Sequence, residues 1–411
     1  MAQRALAHVE KIGWIKPIEG ADNIELVGVL GWQCIAKKGE FQVGDYCVYI
    51  EIDSKVPEIP AFEFLRGKNF KIKTMKLNKF KDEFGNGVIS QGIAIPIGQF
   101  DNDEHKKLIP LKEGADVTEA LHITYSDPED QKRKVGNPNA KYDPMKMRHK
   151  KFFSKPWVKK MMKYEWFRKL AFLVFGKKKD KPLALPSWIQ KTDEERIENL
   201  PQYLNDHNTV WMMTEKIDGT STTFAMDFIN RRKHEFIVCS RNVRMRTPDQ
   251  PCFVGDNVYW AMAEKYDVEN QMVKIAKTLK DSERIKVKHI ILQGETFGYK
   301  LQGNPYKLDY VDFRAFNLVA EGVNSLGQPV KVKYITSDME RLLDGTNIKC
   351  VPILGTYQFP EGITMHEFKE FAEGKSVINE NVQREGIVFR NVDDARQSFK
   401  NVSNSYLLKH S

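Results

Sequence analysis

The chain has 411 residues, with 64 lysines and arginines against 55 aspartates and glutamates and a formal net charge of +9. This length is enough for two or three domains with buried cores, which excludes a miniature scaffold held together by disulfides or metals. The positive balance suggests a phosphate-rich partner, but excess charge also serves solubility. No apolar stretch is long enough to span a membrane, and we expect no membrane partner.

Cysteine usage and the start of the sequence indicate the compartment. Five cysteines are scattered without the spacing of a zinc site or a redox motif: Cys34, Cys47, Cys239, Cys252 and Cys350. We therefore expect reduced, mostly buried thiols in a cytoplasmic or other intracellular compartment. The first residues, MAQRALAHVEKIG, lack the apolar run and cleavage site of a secretory signal, so we expect a protein that is not secreted.

The first part of the chain is predicted to consist of short strands. The stretches IELVGVLGWQCIAKK and GDYCVYIEID alternate and are rich in β-formers, and turn residues separate them. Such closely spaced strands are typical of a small barrel, for which an OB-fold is the natural candidate. Residues 15–57 also resemble the OB-fold tRNA-binding modules of some synthetases. We assign residues 1–110 to an OB-fold-like RNA-binding domain, with a barrel that does not bind nucleic acid as the alternative.

Residues 111–182 are predicted to be a linker followed by a basic helical insertion. The stretch SDPEDQKRKVGNPNAKYDPMKMRHKKF is polar and contains several prolines, as loops do. After it, apolar residues recur at helical spacing among many lysines: Trp157, Met161, Trp166, Leu170 and Phe172. The helix could lie on RNA phosphates or on a membrane surface, or its apolar stripe could pack on the neighbouring domain, which is the ordinary case.

From residue 183 to residue 411 the sequence alternates predicted strands and helices. TVWMMTEKID and TSTTFAMDF are predicted to be paired strands around a turn, and NVYWAMAEKYDVENQMVKIAKTL is predicted to be helical. With the barrel that precedes it, this region makes the expected fold class α+β.

Six short polar motifs fall at predicted strand ends of this last region. In chain order they are KIDG at 216–219, SRN at 240–242, GETFG at 294–298, FRAFNL at 313–318, EGIVFR at 385–390 and SFK at 398–400. Each one is weak alone, because Asp-Gly is a common turn and a strand such as EGIVFR is common in protein cores. Together and in this order, they resemble the motif series of covalent nucleotidyltransferases: ATP-dependent DNA and RNA ligases and mRNA-capping guanylyltransferases.

Two further features resemble one branch of this group, the Naegleria-type RNA ligase family. The segment QKTDEERIENLP, residues 190–201, is similar to one that lies just before the nucleophile in many RNA ligases. The OB-like region comes before the catalytic region, and we expect no second OB domain after Lys400, where DNA ligases and capping enzymes carry one. The insertion around residues 145–181 is not matched residue by residue in this resemblance.

The resemblance implies an ATP-dependent RNA ligase whose residues 183–411 form an adenylyltransferase (ATP-grasp-like ligase) domain of antiparallel sheets and helices. It would seal a 3′-hydroxyl to a 5′-phosphate through lysyl-AMP and an adenylylated RNA 5′ end. The expected partner is RNA, as a nicked duplex or broken ends, and we expect a monomer. The alternatives are a DNA ligase, a capping-type guanylyltransferase and an inactive RNA-binding relative.

The resemblance also implies the central catalytic roles. Lys216 would attack the α-phosphate of ATP, and Lys400 would contact that phosphate. Glu295 and Glu385 would hold Mg²⁺ or Mn²⁺, directly or through water, with Asp218 helping to hold the hydration shell. Because a free lysine has a pKa near 10.4, the amine needs neighbouring cations that disfavour its charged form.

The remaining implied roles concern the nucleotide and the RNA. They are Glu215 at adenine N6, Gly219 beside the nucleotide, Arg241 at the ribose or phosphates, Asn242 at the RNA 3′-end, Phe316 and Val388 on the two faces of adenine, and Lys191 and Arg196 at the triphosphate. Phe313 is the alternative stacking residue, and core packing is the alternative for either phenylalanine. A solvated helix start is the alternative for Lys191 and Arg196.

Two positions depart from the pattern of the resembled family. Val402 stands where many relatives have a second lysine, and Lys409 is the nearest substitute along the chain. Asn317 follows Phe316 where an aspartate is common. Neither departure removes the expected lysine adduct.

Overall fold

The computed structural model describes residues 5–82, 85–100, 107–125, 149–175, 183–230, 232–245, 248 and 257–410. Strands and helices are mixed, as an α+β fold requires. The strands are β1 Ala7–Pro17, β2 Ile24–Val29, β3 Trp32–Lys37, β4 Tyr46–Ile50, β5 Ser54–Lys55, β6 Met75–Lys81, β7 Gly87–Ser90, β8 Ile93–Pro96, β9 Ala115–Asp116, β10 Thr124–Tyr125, β11 Glu195–Arg196, β12 Trp211–Lys216, β13 Thr220–Phe228, β14 His234–Ser240, β15 Lys286–Gly298, β16 Val311–Val323, β17 Pro329–Tyr334, β18 Lys349–Cys350, β19 Ile353–Tyr357, β20 Gly386–Asn391 and β21 Ser398–Val402.

The helices are shorter and mostly lie between strands of the second half. They are α1 Lys150–Phe153, α2 Pro156–Met161, α3 Glu165–Phe175, α4 Val258–Lys265, α5 Val268–Ser282, α6 Thr336–Leu342, α7 Met365–Glu370 and α8 Asn404–His410. Two of the helices have side-chain N-caps. Asn257 accepts the Trp260 N–H at the start of α4, and Thr364 forms a capping box with Glu367 at the start of α7.

The chain divides into two compact units that cut across the sequence. The first unit takes Met1–Pro128, Asp193–Ile217 and Pro352–Ser411, and the second takes Glu129–Thr192 and Asp218–Val351. The predicted domain boundaries near residues 110 and 182 follow the sequence instead, and they stay a prediction.

The first unit begins with the predicted barrel region. Its main sheet runs β3-β2-β1-β4-β8, with β9 also paired to β1, and two small sheets pair β5 with β10 and β6 with β7. The long strand β1 takes part in two pairings: its first half pairs with β4 and its second half pairs with β2. Apolar side chains from these strands form one buried core that includes Val9, Val27 and Val48.

A second sheet of the first unit gathers strands from distant parts of the sequence. Its order is β11-β21-β20-β12-β19, where β11 and β21 run parallel and the other pairs are antiparallel. One face buries an aromatic core that includes Trp211, Phe389 and Phe399. Because side chains alternate along a strand, the residues between these point to the opposite face.

The second unit is built on a six-stranded antiparallel-rich sheet ordered β14-β13-β15-β16-β17, with β18 beside β16. Residues of α4 and α5 pack on one face in the largest core of this unit, which includes Phe224, Met272 and Phe313. The other face carries a smaller cluster with Ala225 and Ile291, against which Trp188 packs.

The predicted pairing of the strands on either side of Asp218-Gly219 is wrong. The strand before the turn, β12, pairs with β19 and β20, whereas β13 pairs with β14 and β15. The turn dipeptide favours a reversal locally, but long-range sheet partners decide where each strand goes. The short link therefore joins two sheets and closes no hairpin.

The described part of the basic insertion forms three helices, as its periodicity predicts. These helices, α1 to α3, share a small core of their own made by Phe153, Val158, Met162 and Ala171. Residues 126–148 and 176–182, which include parts of the predicted linker and insertion, lie outside the described residues.

The described residues bear on two further expectations, the state of the cysteines and the lack of a membrane-spanning segment. Cys34, Cys47, Cys239 and Cys350 are free and buried, while Cys252 lies outside the described part. Burial raises the pKa of the Cys34, Cys239 and Cys350 thiols to about 12, so these thiols stay protonated at neutral pH. None of the described helices has the length and apolar character needed to cross a bilayer.

Candidate active site

Lys216 is the last residue of β12, where the strand leaves the apolar core. Trp211 and Met213 face the aromatic core, so alternation turns Thr214 and Lys216 to the opposite face. The Lys216 Nζ donates to Glu385 Oε1 at 2.6 Å, in a pair whose side chains are 26% and 14% exposed. The structure thus brings together two residues that lie 169 positions apart and that the motifs single out.

Lys400 and Val388 lie on the same face as Lys216. In the antiparallel register Val388 is opposite both Thr214 of β12 and Lys400 of β21. Lys400 is 6% exposed, and its Nζ donates to Asp193 Oδ1 at 2.8 Å. Each cation of this face is therefore held by a carboxylate, in positions where phosphate oxygens could replace the acids.

Sequence reasoning missed two residues on this face. Arg390 lies two residues after Val388 on β20, and its Nη2 donates to Glu194 Oε1 at 3.2 Å. The sequence pointed to both residues, because Arg390 ends the motif EGIVFR and Glu194 lies in the segment 190–201.

Arg196 does not lie at a solvated helix start. It is 4% exposed in β11, where it pairs with Lys400 in parallel register. Its guanidinium donates to Asp53 Oδ2 at 3.2 Å and lies 5.7 Å from the ring centroid of Trp32, both from the barrel region of the same unit. Two of its nitrogens, Nε and Nη1, are buried without a hydrogen-bond partner.

Glu215 points to the other face of the sheet from Lys216. Its Oε2 accepts the Val377 N–H at 2.7 Å, and its own N–H donates to the Pro352 carbonyl at 2.9 Å. Burial raises the pKa of the Glu215 carboxyl above its ordinary value, although hydrogen bonds from Ser376 and Val377 oppose this. The side chain has a structural contact here, and its contact with adenine stays a prediction.

Asp218 and Gly219 begin the second of the two chain segments that form the second unit. The Asp218 N–H donates to the hydroxyl of Tyr306 at 2.8 Å, and Tyr306 is 1% exposed. A Cβ at Gly219 would lie 2.4 Å from the Thr296 carbonyl oxygen, so only glycine fits this approach of the turn to β15.

Glu295 lies in a row of polar residues across three strands of the second unit. It is paired with Ser221 of β13 on one side and with Arg314 of β16 on the other. A Cβ on Gly294 would meet the ring of Phe313 in the helix-covered core, so Glu295, next along the strand, points to the opposite face.

A β-bulge sets the place of Phe316. Gln293 pairs with Asn317 and Gly294 with Ala315, which leaves Phe316 as the extra residue of β16. Bulges re-aim side chains beside functional sites, and Phe316 is half-buried. Phe313 is 1% exposed in the core and contacts Phe224 edge to face at 5.1 Å. Core packing therefore accounts for Phe313.

Asn317 has its own structural explanation. Its Nδ2 donates to Gln293 Oε1 at 2.6 Å, and Gln293 in turn donates to the Gln190 carbonyl at 2.8 Å. An aspartate at position 317 could not donate this bond, which links the sheet to the start of the segment 190–201.

Arg241, Asn242 and Lys191 lie at the exposed edge of the second unit. Arg241 and Asn242 follow the last residue of β14, and both are exposed. The Lys191 Nζ donates to Asn242 Oδ1 at 2.8 Å, so the structure brings these two predicted residues together.

A divalent metal at this site would have to bind carboxylate oxygens. No group of three or more His, Cys, Asp or Glu residues that could hold a metal occurs within the described ranges. Glu385 Oε2 is buried without a hydrogen-bond partner, which leaves one hard oxygen available. This fits Mg²⁺ or Mn²⁺, which often bind through one or two carboxylates plus substrate phosphates and water.

Comparisons with known proteins agree with this arrangement. Residues 209–402 match the RNA ligase family model, and residues 6–97 match a model described as an OB-fold domain. None of the curated sequences compared with the chain matches it.

Solved structures of Naegleria gruberi RNA ligase are similar over nearly the whole chain. The one with PPi has 28% identity and a TM-score of 0.69, over 99% of this chain and 99% of that chain. A mutant with ATP and Mn has 28% identity and a TM-score of 0.68, over 98% and 99%. A mutant with AMP and Mn has the same identity and TM-score, over 99% of each chain. The expected OB-fold and ligase architecture is confirmed.

Proposed function

We propose that this chain, a member of the RNA ligase family with an N-terminal OB-fold domain, is an ATP-dependent RNA ligase that acts through lysyl-AMP on Lys216. The observation that carries the proposal is the pairing of Lys216 with Glu385 at the end of β12. A partly buried lysine amine at a strand end, beside an acid and on the same sheet face as Lys400, is an arrangement for nucleophilic attack on a phosphate.

The first step transfers AMP to the protein. The uncharged Lys216 amine attacks the α-phosphorus of ATP, a phosphorus–nitrogen bond forms, and the bond to the β-phosphate oxygen breaks to release pyrophosphate. Before attack the ammonium must release a proton to solvent and leave Glu385, because the ion pair at 2.6 Å favours the charged form. A second proton passes from the nitrogen to solvent as the phosphorus–nitrogen bond forms. Glu385 is the residue placed to hold that ammonium until ATP arrives.

Lys400 is proposed to stabilise the charge that develops on the α-phosphate. Its ammonium is nearly buried, so its attraction for phosphate is stronger than that of a surface lysine. Asp193 holds it in the absence of nucleotide. A divalent metal held by Glu385, and by Glu295 and Asp218 as the resemblance implies, would supply further positive charge against the phosphate oxygens.

The second unit is proposed to supply the nucleotide and RNA contacts. Phe316, re-aimed by its bulge, is the proposed aromatic face for adenine; Val388, proposed as the aliphatic face, belongs to the first unit. Arg241 is proposed for the ribose or phosphates, and Asn242 for the RNA 3′-end, with Lys191 beside it.

The later steps join RNA ends. AMP passes from Lys216 to the RNA 5′-phosphate, and the 3′-hydroxyl then attacks that phosphate and expels AMP. Sealing of RNA, as a nicked duplex or broken ends, by a monomer is the proposal. A basic chain with an OB-fold domain supports phosphate contacts to such a partner.

The test is direct labelling of the protein. The full chain is incubated with α-labelled ATP and Mg²⁺ or Mn²⁺, denatured and examined for label, beside Lys216→Ala. Protein that already carries AMP is stripped with pyrophosphate first. Label that disappears in Lys216→Ala supports the proposal, and no label with ATP and either metal rejects it.

Two comparisons separate the neighbouring activities. Label from GTP in place of ATP would favour a capping-type enzyme. Equal sealing of strands with a ribose and with a deoxyribose at the 3′-hydroxyl end would favour a DNA ligase.

A further inference from the structure

The basic helical module, defined as residues 149–175, is a folded element that the adenylylation chemistry does not use. Its three helices enclose their own core, in which Phe153 and Val158 are fully buried. The other side chains of the module therefore lie on the surface of folded helices.

The charge of this module is strongly one-sided. Within residues 149–175 the sequence has seven lysines and one arginine against a single acid, Glu165. Its exposed lysines are Lys151, Lys155, Lys159, Lys160, Lys163 and Lys169. Among the described residues only Lys169 of the module has an ion pair, with Glu165 at 3.1 Å. Such a surface attracts a polyanion.

Exposed aromatic rings lie among these lysines. Trp157, Tyr164 and Trp166 are 52%, 54% and 61% exposed. Phe167 contacts Trp157 and Trp166 edge to face, at 6.1 and 5.7 Å between ring centroids, so both indoles pack against the same phenylalanine. Leaving these rings in water is unfavourable unless a partner covers them.

We infer that the basic helical module binds the RNA substrate, with lysines on its phosphates and with Trp157, Tyr164 and Trp166 stacked on unpaired bases. Lysine pairs with phosphate, and aromatic rings stack on any base, but only where the base is out of the helix. The preferred substrate is then RNA with unpaired nucleotides next to the break. This is a narrower class of substrates than nicked duplexes in general. This inference rests on the proposed ligase function.

An anionic lipid surface is the competing occupant. The last turns of α3 expose Leu170, Leu173 and Val174, which neither stack on bases nor contact phosphates. These aliphatic residues are confined to one helix end, whereas the three exposed aromatic rings and the exposed lysines other than Lys169 share the stretch from Lys151 to Trp166. The shared stretch fits RNA better than a bilayer, which needs a broad aliphatic face.

The experiment measures RNA binding without chemistry, in EDTA and without ATP. One labelled RNA is a hairpin broken within its loop, with unpaired nucleotides on both sides, and the other is a nicked duplex without unpaired nucleotides. The variants are Lys155→Gln/Lys159→Gln/Lys163→Gln and Trp157→Ala/Trp166→Ala. The matched control, Lys274→Gln/Lys277→Gln/Lys280→Gln, removes three exposed lysines from α5.

The module lysine variant should weaken binding of both RNAs about tenfold or more and flatten the dependence of affinity on salt, unlike the control. The tryptophan variant should weaken binding of the broken loop at least about fivefold and leave the nicked duplex nearly unchanged. Module variants that match the control, or a tryptophan effect equal for both RNAs, would overturn the inference. Binding to phosphatidylserine vesicles that is lost in the module variants, with RNA binding intact, would assign the surface to lipid.

A second readout separates this inference from the ligase proposal. Label on Lys216 from α-labelled ATP should be the same in wild type and in every module variant, which also shows that the sheet carrying Lys216 folds in the variants. Absence of label in wild type would reject the ligase proposal, while the binding data would still answer the question of the module.

Discussion

The ion pair with Glu385 keeps the Lys216 amine in its charged form. The Nζ to Oε1 distance of 2.6 Å and the partial burial of both side chains stabilise the ammonium, which cannot attack phosphorus. The proposed attack by Lys216 therefore requires that the amine can lose its proton once nucleotide binds. Lysine can do this, whereas arginine keeps its charge at any pH a protein tolerates.

Lys216→Arg should consequently form no adduct although it keeps the positive charge and the partner Glu385. We expect label from α-labelled ATP to fall to background, with the melting temperature close to that of wild type. An arginine variant that still carries AMP would contradict the assignment of the nucleophile.

Gly219→Ala tests the close approach of the turn to β15. A methyl group there would lie 2.4 Å from the Thr296 oxygen and 2.9 Å from the Phe297 Cβ. Relief by backbone movement should cost about 1–3 kcal/mol and lower adduct formation. Gly67→Ala is the control, because its Cβ would meet nothing within 4 Å. Equal melting temperatures for the two variants would show that the turn adapts freely.

At the scale of elements, β1 carries a buried histidine between two acids. His8 Nδ1 lies 2.9 Å from Glu10 Oε1, its Nε2 lies 3.7 Å from Glu51 Oε1, and the ring contacts Tyr49 edge to face. Burial alone would lower the pKa of His8, but hydrogen bonds to Glu10 and Glu51 outweigh it and raise the pKa to about 9. The strand is thus tied to β4 by a charged histidine.

This arrangement predicts a pH-dependent stability. A folded pKa above the unfolded value near 6.5 stabilises the fold fully below pH 6.5, and the contribution is lost as pH rises through about 9. His8→Gln should lower stability by up to about 3 kcal/mol at pH 6 and much less at pH 9.5. Melting curves at both values measure this. His234→Gln, at an exposed pair with Glu269, should show little change.

At the scale of the whole molecule, the first unit joins the OB-fold domain to the sheet of Lys216. Arg196 of β11 donates to Asp53, Asn199 accepts the Trp32 indole N–H, and the Gly31 N–H donates to the Glu198 carbonyl at 2.8 Å. Since Arg196 is beside Lys400 in register, the OB-fold domain supports the strand that carries Lys400.

Asp53→Asn tests this connection. Asparagine keeps the shape and tolerates the left-handed backbone of residue 53, whose φ is 66°. It removes the charge that faces the nearly buried Arg196, so we expect a loss of about 1–2 kcal/mol, reduced because Asp53 is itself 27% exposed. Thermal unfolding measures it against Glu63→Gln, an exposed pair with Arg66. Equal midpoints would show that the connection carries no stability.

Local sequence patterns were enough to predict many of the strands and helices of this protein, and its family. Alternation and turn residues predicted the strands of the OB-fold domain, and helical spacing predicted the basic insertion, because these periods depend only on neighbours along the chain. The six motifs predicted the family, since the chemistry of a lysine nucleophile requires particular residue types. The residue roles stay predictions.

Tertiary structure decided what depends on distant partners. Pairing with β19 and β20 placed β12 in a different sheet from β13, against the local preference of Asp218-Gly219 for a hairpin. The bulge at Phe316, the contact of Arg196 with Asp53 and the ion pair of Lys400 with Asp193 each join residues far apart in sequence. No pattern of neighbours encodes such contacts, because they arise only when separate strands share a face.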